Sequence, residues 1–241
     1  MVPLVSITAS LSHSLARLSF RPPVSFVYDP TDYARQTLTI YLERYGQAPK
    51  RVVLAGMNPG PWGMLQTGVP FGEVSMVRDW MGIEAAVGRP ARLHPSRPVA
   101  GFSCARSEVS GRRLWGWARD RFGPASEFFR DIFVLNYCPL AFFDESGKNI
   151  TPDKLKAEDK TPLFRLCDGA MKEAVELLAP EWVIGIGKFA WERALEVLGG
   201  MDVKVGKITH PSPANPAANR GWEELVEKEL SDIGIGLPIL D

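Results

Sequence analysis

Arg51-Val-Val-Leu-Ala-Gly-Met57 runs straight into Asn58-Pro-Gly-Pro-Trp-Gly63. A short apolar run cut off by Gly and Pro predicts a buried strand that ends in a stiff turn. Three more apolar runs follow, at 131–137, 181–186 and 203–210. Helical patterns at 111–122, 161–178, 188–198 and 222–230 separate and follow them. This alternation predicts an α/β fold: a single domain with a central four-stranded, mainly parallel sheet and helices on both faces. Sites in such sheets lie beyond the C-terminal strand ends. Asn58, Asn136 and His210 fall there.

Ahead of the first strand, residues 1–20 read as an amphipathic helix closed by Pro22-Pro23. Residues 32–45 read as a second helix, with Tyr33, Leu38, Tyr41, Leu42 and Tyr45 as its apolar stripe. Residues 75–81 read as helix, and 82–110, with Pro90, Pro95 and Pro98, as irregular chain. Residues 1–241 are expected to form one domain, with 1–24 as an N-terminal helical extension.

The 241 residues are 45% hydrophobic, enough for a sizeable core. Lys+Arg and Asp+Glu both number 28, so net charge gives no argument for a polyanionic partner. Cys104, Cys138 and Cys167 are scattered and lack C-x-x-C spacing. That excludes a disulfide framework, a zinc ribbon or a four-cysteine cluster, and suits a reducing cytoplasm. No cofactor or metal is expected, and no membrane span or secretory leader is read.

Three stretches carry the chemistry. Gly56-Met-Asn-Pro-Gly-Pro-Trp-Gly-Met-Leu-Gln-Thr-Gly-Val-Pro-Phe-Gly-Glu-Val74 holds one polar side chain, Asn58, on a turn of Gly and Pro. An isolated Asn-Pro-Gly more often caps a turn than does chemistry. The stretch fits neither a Walker loop nor G-x-G-x-x-G. His210-Pro-Ser-Pro-Ala-Asn-Pro-Ala-Ala-Asn-Arg-Gly-Trp222 places a histidine at a strand end before a rigid loop. A lone histidine there is usually structural, and neither a metal pair nor a base beside Ser212 is present. Asn136-Tyr-Cys-Pro-Leu-Ala-Phe-Phe143 puts an amide at the end of an apolar strand, where it needs partners or caps a turn.

Taken together and in order, the three stretches resemble the single-strand-selective monofunctional uracil-DNA glycosylases of the uracil-DNA glycosylase superfamily. The likeness extends through Ile150-Thr-Pro152 and the helix with Cys167-Asp168, over about residues 25 to 230. It implies removal of uracil from DNA by hydrolysis of the base–sugar bond, from single strands or with the nucleotide flipped out of a duplex. It implies Asn58 as the residue that positions water and His210 as the donor to uracil O2. One donor aimed at developing charge supplies about 2.7–4 kcal/mol. Asn136 then reads the N3–O4 edge, Phe71 stacks on the base, and Met57 contributes backbone. Gly60 stands where other branches carry a bulky aromatic, which leaves room at C5. Activity on 5-hydroxymethyluracil is therefore expected, with thymine rejected by something subtler than a wall, such as a bound water. With no catalytic lysine implied, the enzyme is expected to leave an abasic site.

The partner is expected to be DNA, single- or double-stranded, bound by a monomer. The resemblance places Lys148, Ser212, Pro213, Ala214, Asn215 and Arg220 on DNA. Ala214 stands where many relatives have a basic residue in the loop that wedges into the duplex, so duplex penetration is expected to suffer. Eight arginines (89, 92, 97, 106, 112, 113, 119, 121) face only Glu108 and Asp120 within 88–121. They read either as phosphate contacts or as a solvated surface with salt bridges. A glycosylase for deaminated purines and a catalytically idle damaged-DNA-binding module are the rival readings.

Overall fold

The computed structural model describes residues 3–237. Helix α1 (Pro3–Leu15) leads to strand β1 (Phe26–Tyr28), then α2 (Pro30–Tyr33) and α3 (Arg35–Tyr45). Residues 1 and 2 of the expected first helix lie outside the described residues. That helix stops at Leu15, well before Pro22-Pro23. The expected helix at 32–45 is two helices, broken at Ala34, whose backbone is not helical. Leu38, Tyr41, Leu42 and Tyr45 of its stripe are buried.

Strand β2 (Val52–Gly56) opens the main sheet, and α4 (Met64–Thr67) follows its loop. Residues 76–80 form a π-helical turn. Next come α5 (Val109–Phe122), α6 (Ala125–Asp131), β3 (Ile132–Asn136), β4 (Ala141–Phe143) and β5 (Asn149–Ile150). The long α7 (Ala157–Leu178), β6 (Trp182–Ile186), α8 (Lys188–Val197), β7 (Lys204–Ile208) and α9 (Trp222–Asp232) complete the chain.

The order β3-β2-β6-β7 is parallel throughout. Every residue of β2 is buried. Successive side chains of a strand point to opposite faces, so both faces of the sheet are covered. The edge strand β7 alternates exposed and buried residues at its end. A second sheet, antiparallel and ordered β1-β4-β5, was not anticipated from the sequence. Its strands are two or three residues long, too short to show a period.

Packing fixes where the strand ends sit. The Tyr41 hydroxyl donates to the Val134 carbonyl at 2.8 Å, tying α3 to β3. Leu4 and Leu15 of α1 are buried in the main core. In the β2–β3 register Gly56 faces Asn136, so the amide stands level with the start of the Asn58 loop.

Candidate active site

The C-terminal ends of β2, β3 and β7 converge on a small cavity of about 70 Å3. It is lined by Asn58, Gly60, Met64, Phe71, Asn136 and His210, joined by Glu108 and Ser110. Five of the predicted residues are thus brought together from parts of the chain 150 residues apart. A larger groove of about 630 Å3 lies between α1, α3 and residues 89–91 and contains none of them.

Asn136 projects from the last position of β3. Its Nδ2 donates to the Met64 thioether at 3.2 Å, a weak acceptor. Its Oδ1 is buried and has no partner. A buried, unpaired amide oxygen costs about 1–3 kcal/mol unless something binds it. Gly56 makes the arrangement possible, because a Cβ there would collide with that oxygen and with the Phe71 ring.

The Asn58 Nδ2 donates to the Leu140 carbonyl at 3.3 Å. This leaves its Oδ1 as an acceptor toward the cavity. Met57 takes a backing position: its carbonyl accepts the Cys138 N–H at 2.9 Å.

His210 accepts the Ser212 N–H on Nδ1 at 3.1 Å. That partner assigns the proton of the neutral ring to Nε2. Burial pushes the imidazole pKa down to about 4, so the ring is neutral at pH 7. The cavity therefore meets a neutral N–H donor.

Phe71 lies 6.0 Å from His210, ring centre to ring centre. Its backbone φ is 53°, a sparsely populated value for a bulky residue. The conformation is pinned from two sides, because the Phe71 carbonyl accepts the Trp115 indole N–H at 3.0 Å and the Glu73 N–H at 2.7 Å.

The space beside Gly60 is not empty. A Cβ built on Gly60 would stand 2.5 Å from Glu108 Oε2. That oxygen accepts the Trp62 N–H at 3.1 Å. Burial raises the Glu108 pKa above the ordinary glutamate value, and the Trp62 hydrogen bond partly offsets this. In the sequence Glu108 counts only as a stray negative charge among arginines. Its position before α5 carried no signal, since it meets the 58–63 loop only through tertiary packing. Ser110, buried on the first turn of α5, was missed for the same reason.

The loop after His210 is braced. Arg113 donates to the Pro211 carbonyl at 3.0 Å and to Asn219 Oδ1 at 2.9 Å. The Ser212 hydroxyl accepts the Ala214 N–H, Asn215 Oδ1 accepts the Ala217 N–H, and Asn219 Nδ2 donates to the Pro213 carbonyl. Pro213, Ala214 and Arg220 are exposed. Lys148 is exposed on the hairpin between β4 and β5, away from this loop in sequence.

The arginine run divides. Arg119 pairs with Asp120 and Arg121 with Glu227. Arg106 lies 4.2 Å over the Trp62 ring, and Arg92 stacks on Phe26. Together with Arg113, these contacts make much of the run structural.

The uracil DNA glycosylase superfamily model matches residues 43–230. The chain is 47% identical over 232 residues to the single-strand selective monofunctional uracil-DNA glycosylase of Rattus norvegicus, spanning 95% of this chain and 83% of that protein. Identity to the Mus musculus counterpart is 46% over the same spans. The fold is similar to a crystal structure of wild-type Pedobacter heparinus SMUG2, with a TM-score of 0.67, 17% identity, and coverage of 95% of this chain and 96% of that one.

Proposed function

The chain belongs to the uracil DNA glycosylase superfamily, and from that premise we propose that it hydrolyses the N-glycosidic bond of uracil in DNA and leaves an abasic site. The observation that carries this reading is the buried, unpartnered Oδ1 of Asn136. It offers an acceptor to uracil N3–H, while the amide nitrogen, held only by a thioether, offers a donor to O4. Cytosine presents the opposite pattern at both atoms, and so leaves buried groups unpaired.

In the proposed reaction a water oxygen bonds to C1′ as the C1′–N1 bond breaks, the electron pair of that bond passes to the base, and the proton lost by the water ends on the departing uracil, so that the products are free uracil and an abasic sugar. Asn58 Oδ1 accepts from the water and sets its direction. His210 Nε2–H donates to O2, where negative charge accumulates. A ring with a pKa near 4 acts here as a neutral hydrogen-bond donor and not as a proton source. Phe71 supplies the stacking surface, worth about 1–3 kcal/mol per base.

The same reading extends to C5-modified uracils such as 5-hydroxymethyluracil, to single and double strands, and to a flipped-out nucleotide bound by a monomer. Lys148, Ser212 and Arg220 are proposed to contact phosphates, with Pro213 to Asn215 as the tip that meets the duplex. Among the described residues no helix is long and apolar enough to cross a membrane.

Single-turnover cleavage of oligonucleotides bearing one uracil, 5-hydroxymethyluracil, cytosine or hypoxanthine tests the proposal, with Asn58→Ala as the control for chemistry. Uracil should be cleaved and cytosine left intact. Asn58→Ala should lose at least about tenfold, which is about 1.4 kcal/mol of barrier. Cleavage of hypoxanthine in preference to uracil, or an unaffected Asn58→Ala, overturns it.

A further inference from the structure

We propose that Glu229 is a positioning residue for the reaction: from helix α9 it fixes Thr209, and through Thr209 it aims the Nε2–H of His210 at uracil O2. The proposal rests on reading the cavity as a uracil site.

Strand β7 is an edge of the main sheet, with β6 on one side and no strand on the other. The Ile208 carbonyl turns inward and accepts the Gly187 N–H at 2.8 Å. The polar groups of the next residue, Thr209, therefore turn outward, where an edge has no ladder partner to give them. Helix α9 satisfies all of them. The Thr209 N–H donates to Glu229 Oε2 at 2.6 Å and the Thr209 hydroxyl to Glu229 Oε1 at 2.7 Å. The Thr209 carbonyl accepts the Trp222 indole N–H at 2.7 Å. Both oxygens of one carboxylate are thus spent on one residue. Of the other α9 acids, Glu227 and Asp232 form ion pairs with Arg121 and Lys228, whereas Glu229 forms none among the described residues. Hydrogen bonds to a charged acceptor are short and about twice as strong as neutral ones.

Thr209 is bonded directly to His210. The histidine is held on its other sides by the Ser212 N–H at Nδ1 and by Gly187, where a Cβ would stand 3.2 Å from the His210 Cβ. Those contacts orient the ring, and Thr209 sets where its backbone stands. A donor acts only where its N–H meets the charge as it develops, and a misplacement of about 1 Å costs on the order of 100-fold. Glu229 does not line the cavity, so its effect on the reaction passes through His210.

The test is a double-mutant cycle in single-turnover cleavage of a uracil-bearing single strand, with Glu229→Ala made in the parent and in His210→Ala. In the parent, Glu229→Ala should lower the saturating rate about tenfold, equal to about 1.4 kcal/mol, and leave the half-saturating enzyme concentration within about twofold. In His210→Ala the same change should cost less than about twofold, because the donor it aims is gone. Thr209→Val keeps the N–H bond and loses the hydroxyl bond, so it should show a smaller loss of the same kind. Thr209→Ser should retain the parental rate. Thr209→Val takes the place of Glu229→Ala in the cycle if that variant does not fold. A loss by the same factor in both backgrounds would show that Glu229 only braces α9 against the sheet. A loss carried by the half-saturating concentration instead of the rate would equally overturn the proposal. Failure of the parent to cleave uracil would sink the reading of the cavity itself, a different outcome from either.

Discussion

The backbone N–H of Ser212 points at Nδ1 of His210 from 3.1 Å, so the loop that follows the histidine also decides which ring nitrogen faces the cavity. Protonating Nδ1 would set two N–H groups against each other. Burial and this contact both favour the neutral ring, in agreement with a pKa near 4.

Cleavage of uracil should therefore show no inflection near 6.5, the ordinary histidine pKa, and should fall only as the pH approaches 4. Stability has a matching signature. The unfolded chain binds a proton on this histidine below about 6.5 while the folded chain does not until about 4. The stability contributed by the neutral ring is thus complete above about 6.5 and declines as the pH falls toward 4. His210→Gln should flatten that part of the stability–pH curve. A curve with the same slope in parent and variant, measured by urea unfolding, would refute the assignment.

Asn136→Asp should raise cytosine cleavage relative to uracil. A carboxyl in this buried position favours its protonated form, whose O–H donates to cytosine N3 while the second oxygen accepts from N4–H. Rate ratios on the two bases, measured at the same pH, give the answer. An unchanged ratio would mean that Asn136 does not touch that edge.

Ala214→Arg should improve cleavage of paired uracil and leave single strands nearly unchanged. Ala214 is exposed, so the longer side chain is accommodated without disturbing the core. It would fill the gap left by an extruded nucleotide and add a phosphate-seeking charge. Matched duplex and single strand should be compared at two salt concentrations. An equal gain on both that vanishes at high salt would indicate non-specific attraction alone.

Arg113→Ala should cost more on duplex than on single strands, about tenfold more, or about 1.4 kcal/mol. It removes the donors to Pro211 and Asn219 that brace the loop. Duplex and single-strand rates for the variant, with melting temperature as a control, decide the matter. Equal loss on both would place the effect on His210 rather than on the loop tip.

The main sheet was legible because β2, β3 and β6 are apolar runs punctuated by Gly, Pro or Asn. The helix α6 escaped because its seven residues are too few to show a helical period before β3 begins. Asn58, Asn136 and His210 were expected together from their places at strand ends, and Phe71 from the family resemblance of its stretch. Glu108 could not be read that way, because its role arises where α5 meets the loop after β2, some 46 residues earlier. The neutral state of His210 was likewise out of reach, since burial is a property of the folded whole.

Helix α5 does more than cover the sheet. Glu108 stands at its head, Ser110 lines the cavity, Arg113 holds the loop after His210, and Trp115 holds the Phe71 carbonyl. Four sides of the reaction chamber are therefore bolted to one girder. A substitution on its far side that tilts it by a fraction of an ångström would retune base choice, stacking and strand engagement at once, without touching the DNA. Base preference in this scaffold can thus be reached from outside the chamber as well as from its lining.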